Sequence, residues 1–419
     1  MKIQTHHSGK TPPKSEWTIL AYLGGKNDLS REIRANLRAI EKQSPRNGIA
    51  VAVQAGFIKG GIRAPGEEFD PRKVKGEVAR YATAPGKRLR LAEKLSGAVN
   101  MGYSPTLQKF LEWGIRKFPA KHYLICINNH GGGFLGISRD HKGKSTISLP
   151  SLGKTLENVR ERTGVTPDVL LFDACLMGQA EVVAQIGKNA RFVVASEEEI
   201  TAQGLPWGEI MGIFQDHPSL SPESVARGIV SAVREDEAIR EEKGLDRHVF
   251  QIAALKGGVE KKLLHALDQL AGALLPASVP AQAILEVVKK TRRFDDGGEK
   301  KPYRDYRDMV DFVDNLQKSD IRSTRVKEAA TALKKVAEEI VLEEYQGNGM
   351  ERAHGLSVYL PTTYGRDRVR PGLPGKGLID PKDLYGETDT ALKTRWDELL
   401  ERLSQASLRC PRQKKSARG

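Results

Sequence analysis

Two short segments of the sequence each place a reactive side chain directly after a run of apolar residues. The first runs from Tyr123 to Gly133 and ends in Asn-Asn-His-Gly-Gly-Gly, which contains His130. The second runs from Val169 to Gly178 and contains Asp-Ala-Cys, with the thiol at Cys175. A thiolate is a good nucleophile, and an imidazole can carry its proton, so these residue types suit acyl transfer.

The residues around this pair suit the same chemistry. Glycines 131–133 let the backbone approach a substrate carbonyl, so the amide of Gly131 or Gly132, together with that of Cys175, could form an oxyanion hole. A helix that begins just after Cys175 is expected to stabilise the thiolate through its N-terminal dipole.

Each motif also has a plainer explanation. A cysteine after a buried strand is often a small core residue, and a His-Gly pair often only ends a strand in a turn. Cys126 has apolar neighbours and is interpreted as structural, and Cys410 lies in the C-terminal tail without an evident partner. The two motifs end consecutive strands of one α/β unit, and this combination favours the catalytic interpretation of Cys175 and His130.

The elements that would position these residues alternate between strand and helix, as in a parallel α/β sheet. In such a sheet, ligands bind beyond the carboxyl ends of the strands, where both motifs would emerge. The predicted strands are Trp17–Leu23, Ile49–Val53, His122–Asn128, Asp168–Asp173 and Arg191–Ala195, with a weaker candidate at Val78–Ala84. The predicted helices between them are Leu29–Glu41, Thr106–Lys117, Leu152–Thr163 and Gln179–Ile186, and Phe57–Lys75 is predicted to be an exposed loop.

The second half of the sequence is mainly helical in pattern and contains two short strands. We predict four parts: a disordered basic N-terminus (1–16), an α/β core (17–217), a helix-rich part that returns strands to the core (218–408) and a basic tail (409–419). The predicted helices are Pro222–Lys243, Val259–Leu275, Ala281–Lys290, Tyr306–Gln317, Arg325–Glu344 and Thr390–Leu408, and the strands are His248–Ala253 and Leu356–Leu360.

Composition narrows the function classes. Walker, His-Glu-x-x-His, EF-hand and Gly-x-Ser-x-Gly motifs are missing, and three scattered cysteines do not make a disulfide framework.

No apolar stretch approaches the ~20 residues of a membrane helix, and residues 1–16 lack the apolar core of a secretory signal, so the predicted location is cytoplasmic. Eight basic residues lie in 1–15 and 409–419, which leaves a net charge of only +6 elsewhere. A nucleic-acid partner is therefore not expected.

The two motifs resemble those of the clostripain-type cysteine peptidases, relatives of caspases, legumains and gingipains. Looser similarities are Trp17–Tyr22 followed by Asn-Asp-Leu at 27–29, Leu-Met-Gly at 176–178, Ala-Ser-Glu-Glu at 195–198, and Gly355–Pro361. The resemblance implies a caspase-like fold, an open and mostly parallel sheet flanked by helices, here with a largely helical C-terminal elaboration. It also implies a cysteine endopeptidase acting on protein or peptide substrates.

Residue roles follow from the same resemblance. Cys175 matches the nucleophile, His130 its general acid/base, and Asp173 the acid that helps the pocket accept Arg or Lys; Asp173 could instead cap the following helix. Asp28 would line the edge of the sheet where both motifs end, or it would cap the helix that is predicted to begin at Leu29. Glu198 and Trp207 bracket a segment that departs from the family pattern and is expected to shape the substrate pocket.

Further expectations concern the environment of the site. His354 is a rival base, expected at the opposite edge of the sheet because it precedes a strand, and His141 is expected to be solvated. No cofactor is required, although the resemblance makes calcium a candidate ligand for Glu197–Glu199, a run that is otherwise typical of a solvated face.

The resemblance also implies maturation by internal cleavage in the basic loop between the two motifs. Lys144 is the preferred site there, followed by Lys142 and Arg139. A catalytically silent relative that binds peptides or partner proteins is the alternative function.

Overall fold

The computed structural model describes residues 15–43, 48–59, 75–83, 88–140, 144–294, 305–365 and 380–409. Most of the predicted basic ends, most of the predicted loop after Phe57, and the individual residues His141, Lys142 and Cys410 lie outside these ranges. Ser15 and Glu16 belong to the first strand, so the predicted disorder does not extend to residue 16, and Arg409 ends the last helix.

The strands and helices alternate along the first half of the chain, as predicted. The strands are β1 (Ser15–Gly24), β2 (Ile49–Lys59), β3 (Lys75–Ala82), β4 (Arg90–Leu95), β5 (Ala120–Asn128), β6 (Ile137–Asp140), β7 (Ser145–Ile147), β8 (Val169–Asp173), β9 (Phe192–Ala195), β10 (Gln251–Lys256), β11 (Arg293–Phe294), β12 (Tyr306–Asp308), β13 (Val341–Gln346) and β14 (Ser357–Tyr359). The helices are α1 (Ser30–Lys42), α2 (Ser104–Lys117), α3 (Leu149–Thr163), α4 (Ala180–Ile186), α5 (Trp207–Asp216), α6 (Pro222–Glu242), α7 (Glu260–Leu274), α8 (Ala281–Lys290), α9 (Met309–Lys318), α10 (Thr324–Ile340), α11 (Pro381–Tyr385), α12 (Asp389–Lys393) and α13 (Trp396–Arg409).

The central sheet has nine strands in the order β13-β10-β9-β8-β5-β1-β2-β3-β4. Its five middle strands are mutually parallel: β9, β8, β5, β1 and β2. At each edge two more strands follow, and each of these runs antiparallel to the neighbour on its inner side. The sheet is therefore mostly parallel at its centre, and this confirms the predicted caspase-like architecture.

Both faces of the middle strands are buried, which explains why their sequences are continuously apolar. Along β8, Leu170 and Phe172 belong to one core while Val169 and Leu171 belong to the other. Helices α2, α3, α4 and α7 contribute to the first core, and α1, α5 and α6 contribute to the second. This packing fixes the middle strands, so the loops that follow them start from rigid positions.

The second half of the chain differs from the prediction in several places. Leu356–Leu360 does not return to the central sheet: β14 joins β11 and β12 in a separate three-stranded sheet. The strands that do return are β10 and β13, and β13 occupies the end of the helix predicted for Arg325–Glu344. Phe57 belongs to β2 and is buried, so the predicted exposed loop does not begin there.

Candidate active site

His130 and Cys175 emerge from adjacent strands at the same edge of the sheet. Strands β5 and β8 are parallel neighbours with Asn128 opposite Asp173, and each reactive residue lies two positions beyond this pair. The Gly131 backbone packs against the cysteine: a Cβ atom at Gly131 would lie 2.4 Å from the carbonyl oxygen of Cys175 and 3.2 Å from its nitrogen. The fold therefore brings the two motifs together, as the sequence predicts.

The Cys175 sulfur lies against the backbone of Ile200. The Ile200 N–H donates to Sγ, and the thiol can donate to the Ile200 carbonyl, both at 3.4 Å. Helix α4 begins only at Ala180, so the expectation that a helix starts directly after Cys175 is wrong. The hydrogen bond from Ile200, instead of a helix dipole, is the local feature that would stabilise a thiolate.

The turn that follows Cys175 has unusual backbone geometry. Leu176 has φ of 62°, a left-handed conformation that is costly for a bulky residue. Its N–H donates to the Glu198 carbonyl at 3.2 Å, and Gly178 N–H donates to Ser196 O at 2.7 Å. These bonds from the end of β9 hold the turn that carries the thiol.

His130 is hydrogen-bonded to Asp28, with its Nε2 2.9 Å from Asp28 Oδ1. Asp28 does not cap helix α1, since the Leu29 N–H donates to Asn27 Oδ1 at 3.0 Å. The Asn27 amide in turn donates to Asn129 Oδ1 at 2.9 Å and joins the turns that follow β1 and β5. Asp28 is therefore placed to orient the imidazole.

The three glycines after His130 are constrained by hydrogen bonds. Gly132 N–H donates to Gly136 O at 3.0 Å, which leaves the Gly131 amide as the candidate oxyanion donor from this loop. Phe134 N–H donates to the side-chain oxygen of Gln179 at 2.8 Å. The hydroxyl of Tyr306 donates to the Gly132 carbonyl at 2.7 Å.

Asp173, the last residue of β8, is buried below the site, with 3% of its surface exposed. Its oxygens accept from the Asn128 side-chain amide, from Leu205 N–H at 3.0 Å and from Trp207 Nε1 at 3.0 Å. Burial raises the pKa of this carboxyl, and the three donors oppose that rise. Asp173 does not cap a helix, because Gln179 is the residue that precedes α4.

Residues 199–207 are tied to the end of β8 and to the turn that follows it. Ile200 contacts the Cys175 sulfur, and Leu205 and Trp207 donate to Asp173. Gly204 has φ of 74°, and a Cβ there would lie 2.7 Å from Asp173 Oδ1, so the close approach requires glycine. Trp207 is only 2% exposed, so in this structure it anchors the segment and presents almost no surface to a substrate.

The Glu197–Glu199 run is not a solvated face. Glu197 and Glu198 are buried, and Glu198 Oε2 lies 4.0 Å from Arg292. Glu197 Oε2 accepts from Gly355 N–H at 2.7 Å. Within the part of the chain that the structure describes, no group of three or more His, Cys, Asp or Glu side chains could hold a metal ion. The run therefore does not fit a calcium site.

His354 does not lie at the opposite edge of the sheet, because its neighbour Gly355 contacts Glu197 just beyond the carboxyl end of β9. The His354 ring pairs with Asp308 at 2.9 Å, and this hydrogen bond raises the pKa of the imidazole. Cys126 is fully buried within β5, and burial raises the pKa of its thiol well above the usual range. This confirms the structural interpretation of Cys126.

The predicted cleavage interval begins close to the site. Residues 137–147 include the antiparallel strands β6 and β7, and Ser138 N–H donates to His130 O at 3.1 Å. Lys144 is exposed with φ of 49°, whereas the Arg139 carbonyl accepts from the side-chain amides of Asn27 and Asn129.

The described helices include none that is long and apolar enough to cross a membrane.

The fold agrees with comparisons with known proteins. The model of the clostripain family matches residues 87–402. The chain is 24% identical over 398 residues to clostripain from Hathewaya histolytica, covering 82% of this chain and 74% of that protein. The chain belongs to the clostripain family and is a cysteine-type endopeptidase.

Two solved structures share the fold. An inactive zymogen of a C11 protease from Parabacteroides distasonis has a TM-score of 0.61 at 18% identity, covering 91% of this chain and 99% of that one. A secreted C11 cysteine protease from Bacteroides thetaiotaomicron, solved with an irreversible peptide inhibitor, has a TM-score of 0.60 at 17% identity, covering 92% of this chain and 99% of that one.

Proposed function

We propose that the endopeptidase works through Cys175 and His130, cleaves after Arg or Lys, and matures by cutting its own chain between the two catalytic strands. The observation that carries the proposal is the convergence of the two motifs, in which β5 and β8 pair in register and Gly131 lies against the Cys175 backbone.

The contacts define a role for each group. The Cys175 sulfur attacks the scissile carbonyl carbon, and the amides of Gly131 and Cys175 bind the oxygen as it becomes negative. His130 carries the thiol proton to the leaving amine, which departs and leaves a thioester. His130 then takes a proton from the water that attacks the thioester, and returns it to the Cys175 sulfur as the carbon–sulfur bond breaks and the carboxyl product leaves. Asp28 holds the imidazole in orientation through its 2.9 Å bond.

Peptide hydrolysis by matched variants tests these roles. Cys175→Ala is expected to lose essentially all activity, whereas Cys126→Ala, which removes a buried thiol, is expected to retain it. His130→Ala should lose nearly as much as Cys175→Ala, and the double variant should be no worse, because members of one catalytic unit are not additive. An active Cys175→Ala protein would reject the assignment.

Acidic side chains around the site support a preference for a cationic residue before the scissile bond. Asp173 ends β8, and Asp28 and Glu198 follow β1 and β9, so three carboxyl groups lie near one edge of the sheet. Arg292 lies 4.0 Å from Glu198 and offsets part of that charge. A guanidinium or ammonium group would be attracted to this edge. Asp173, which is saturated with hydrogen bonds, would act through its charge and through the segment 199–207 that it holds.

Paired substrates isolate the charge requirement. A peptide with Arg before the scissile bond is compared with the same peptide containing citrulline, which has nearly the same shape without the charge; Lys is compared with norleucine. We expect kcat/KM to fall ~10- to 100-fold for each neutral partner, since a hydrogen bond to a charged group is worth about 1.5–3 kcal/mol. Equal cleavage of Arg and citrulline peptides would reject cation selection.

The hairpin geometry supports Lys144 as the self-cleavage site. Lys144 is exposed in a turn, while the bond after Arg139 is held by two side-chain amides on the Arg139 carbonyl. Lys142 stays a second candidate on sequence alone. A cut in this interval would leave β5 and β8 on different fragments of the chain. The two strands are paired in one sheet, so the two fragments should stay associated. A related C11 protease has been solved as an inactive zymogen.

Gel analysis of three proteins tests maturation. Wild type should give two bands under denaturing conditions and one species in solution, while Cys175→Ala stays full length. Lys144→Ala should be cut more slowly, and mass spectrometry should find any remaining cut at Lys142 or Arg139. A fully active wild-type chain that remains uncut would overturn self-cleavage without affecting the peptidase assignment.

Two expectations stay predictions: that catalysis requires no cofactor, and that the protein is cytoplasmic.

A further inference from the structure

The glycine loop that supplies the candidate oxyanion donor is flexible by composition. Gly131, Gly132 and Gly133 lack side chains that would restrict their backbone angles, and Gly133 has φ of 59°. Backbone hydrogen bonds within the loop, such as that from Gly132 N–H to Gly136 O, set part of their conformation, and contacts from outside the loop add further constraint. The loop lies against Cys175, so a small rotation of its peptide planes would move the Gly131 amide relative to the reacting carbonyl.

One such contact comes from the second half of the chain. Tyr306 on β12 is fully buried, and its hydroxyl donates to the Gly132 carbonyl at 2.7 Å across 174 residues of sequence. The same carbonyl accepts from Leu135 N–H at 3.1 Å. The Tyr306 bond therefore adds a directional constraint to a carbonyl that is already hydrogen-bonded.

Aromatic packing holds the Tyr306 ring in place. Phe134, which follows the glycines, meets Tyr306 edge-on with ring centroids 6.1 Å apart and lies 4.5 Å from the Tyr359 ring. Tyr359 is also 5.9 Å from Tyr306. Phe134 N–H donates to Gln179 Oε1, so the loop is held on its other side as well. The hydroxyl of Tyr306 is thus presented from a rigid cluster.

We propose that Tyr306 is a positioning residue for catalysis, which orients the glycine loop so that the Gly131 amide points at the developing oxyanion. This inference depends on the proposed Cys175 mechanism and extends it to a residue outside the α/β core. Tyr306 does not touch the substrate and acts only through the loop.

Tyr306→Phe keeps the ring and removes only the hydroxyl. We expect kcat to fall ~10-fold with KM nearly unchanged, less than the 10²–10³ that loss of an oxyanion donor itself costs, because the donor is misaligned and not removed. A peptide aldehyde adds its carbon to the Cys175 sulfur and places its oxygen in the oxyanion site. Its inhibition constant should rise by a similar factor.

Alkylation by iodoacetamide provides the discriminating measurement. The Cys175 sulfur displaces iodide without forming an oxyanion, so its alkylation rate should be the same in wild type and Tyr306→Phe. Folded sites are counted as chains alkylated at Cys175 but not at Cys126, which is fully buried in the folded protein, and activities are divided by that count. Tyr385→Phe is the matched control: Tyr385 belongs to the same buried aromatic cluster, but its hydroxyl donates to Glu181 at 3.0 Å and not to the loop.

Each outcome decides the proposal. A selective loss of kcat and aldehyde affinity in Tyr306→Phe, with normal alkylation and a normal Tyr385→Phe enzyme, supports it. Unchanged hydrolysis, an equal loss in Tyr385→Phe, or a parallel fall in alkylation rejects it. If Tyr306→Phe does not fold, Gln179→Leu frees the same loop at Phe134 and should give the same selective loss. Failure of the underlying mechanism would be separate: hydrolysis would then persist in Cys175→Ala.

Discussion

The buried carboxyl of Glu181 gives a quantitative prediction about stability and pH. Glu181 lies on α4 and is fully buried, with Oε1 accepting from Tyr359 N–H at 3.1 Å and from the Tyr385 hydroxyl at 3.0 Å. Oε2 is buried and has no hydrogen-bond partner. Burial raises the pKa of this carboxyl from its ordinary 4.5 to about 7, and the hydrogen bonds from the Glu181 backbone, Tyr359 and Tyr385 reduce that rise only in part.

A raised pKa means that the folded protein holds the proton more tightly than the unfolded chain. Below about pH 4.5 both states are protonated, so Glu181 adds no pH-dependent cost. As the pH rises toward 7, the unfolded chain loses its proton first and the free energy of unfolding falls. Above pH 7 the cost is constant. A rise from 4.5 to about 7 corresponds to about 3 kcal/mol, at ~1.4 kcal/mol per pH unit.

Glu181→Gln removes this titration while preserving the acceptor for Tyr359 and Tyr385. Its free energy of unfolding relative to wild type should increase by about 3 kcal/mol between pH 4.5 and 7.5. Urea unfolding followed by tryptophan fluorescence measures the difference. Glu157→Gln is the control: Lys154 and Lys188 lower the pKa of the Glu157 carboxyl to about 2, so its offset should stay constant over this range. A constant offset for Glu181→Gln would refute the reasoning.

Three further predictions concern the site. Asp28→Asn should lower kcat ~10-fold with little change in KM, because the imidazole loses the partner that orients it, and steady-state kinetics would show an unaffected kcat if this is wrong. Asp173→Asn should lower both the melting temperature and activity, since one amide cannot accept from all three donors; a normal melting curve would contradict the anchoring role. Leu176→Gly should lower the melting temperature, because loss of this fully buried side chain costs about 3–5 kcal/mol, more than the roughly 1–3 kcal/mol of backbone strain that glycine relieves; an unchanged melting temperature in thermal unfolding would contradict this.

The central fold could be read from the sequence because its strands are buried on both faces. Continuous apolar runs such as Val169–Phe172 have few alternatives to a parallel strand between helices. The point at which α10 ends could not be predicted from the sequence in the same way. Val341–Gln346 continues a helical pattern, and its strand conformation depends on pairing with β10 at the edge of the sheet. Long-range pairing overrode local preference there.

The candidate site was predictable only to the extent that it lies at strand ends. The predicted neighbouring strands place Cys175 near His130, but the residues that hydrogen-bond to the site come from distant parts of the sequence. Asp28 reaches His130 across 102 residues, and Tyr306 reaches Gly132 across 174. Asp173 was recognised as a strand-end acid, yet its burial depends on how residues 199–207 fold over it. Such contacts follow from tertiary packing and leave no local pattern.

The most direct test of the proposed mechanism is covalent labelling by a peptide that ends in an Arg acyloxymethyl ketone. Intact-mass and peptide mapping should show one adduct per chain, located on Cys175, with the carboxylate displaced and a new carbon–sulfur bond formed. His130→Ala should label far more slowly, and a citrulline reagent should label poorly. Labelling of Cys126, or rapid labelling at Cys175 that is independent of His130 and of the reagent's charge, would contradict the mechanism.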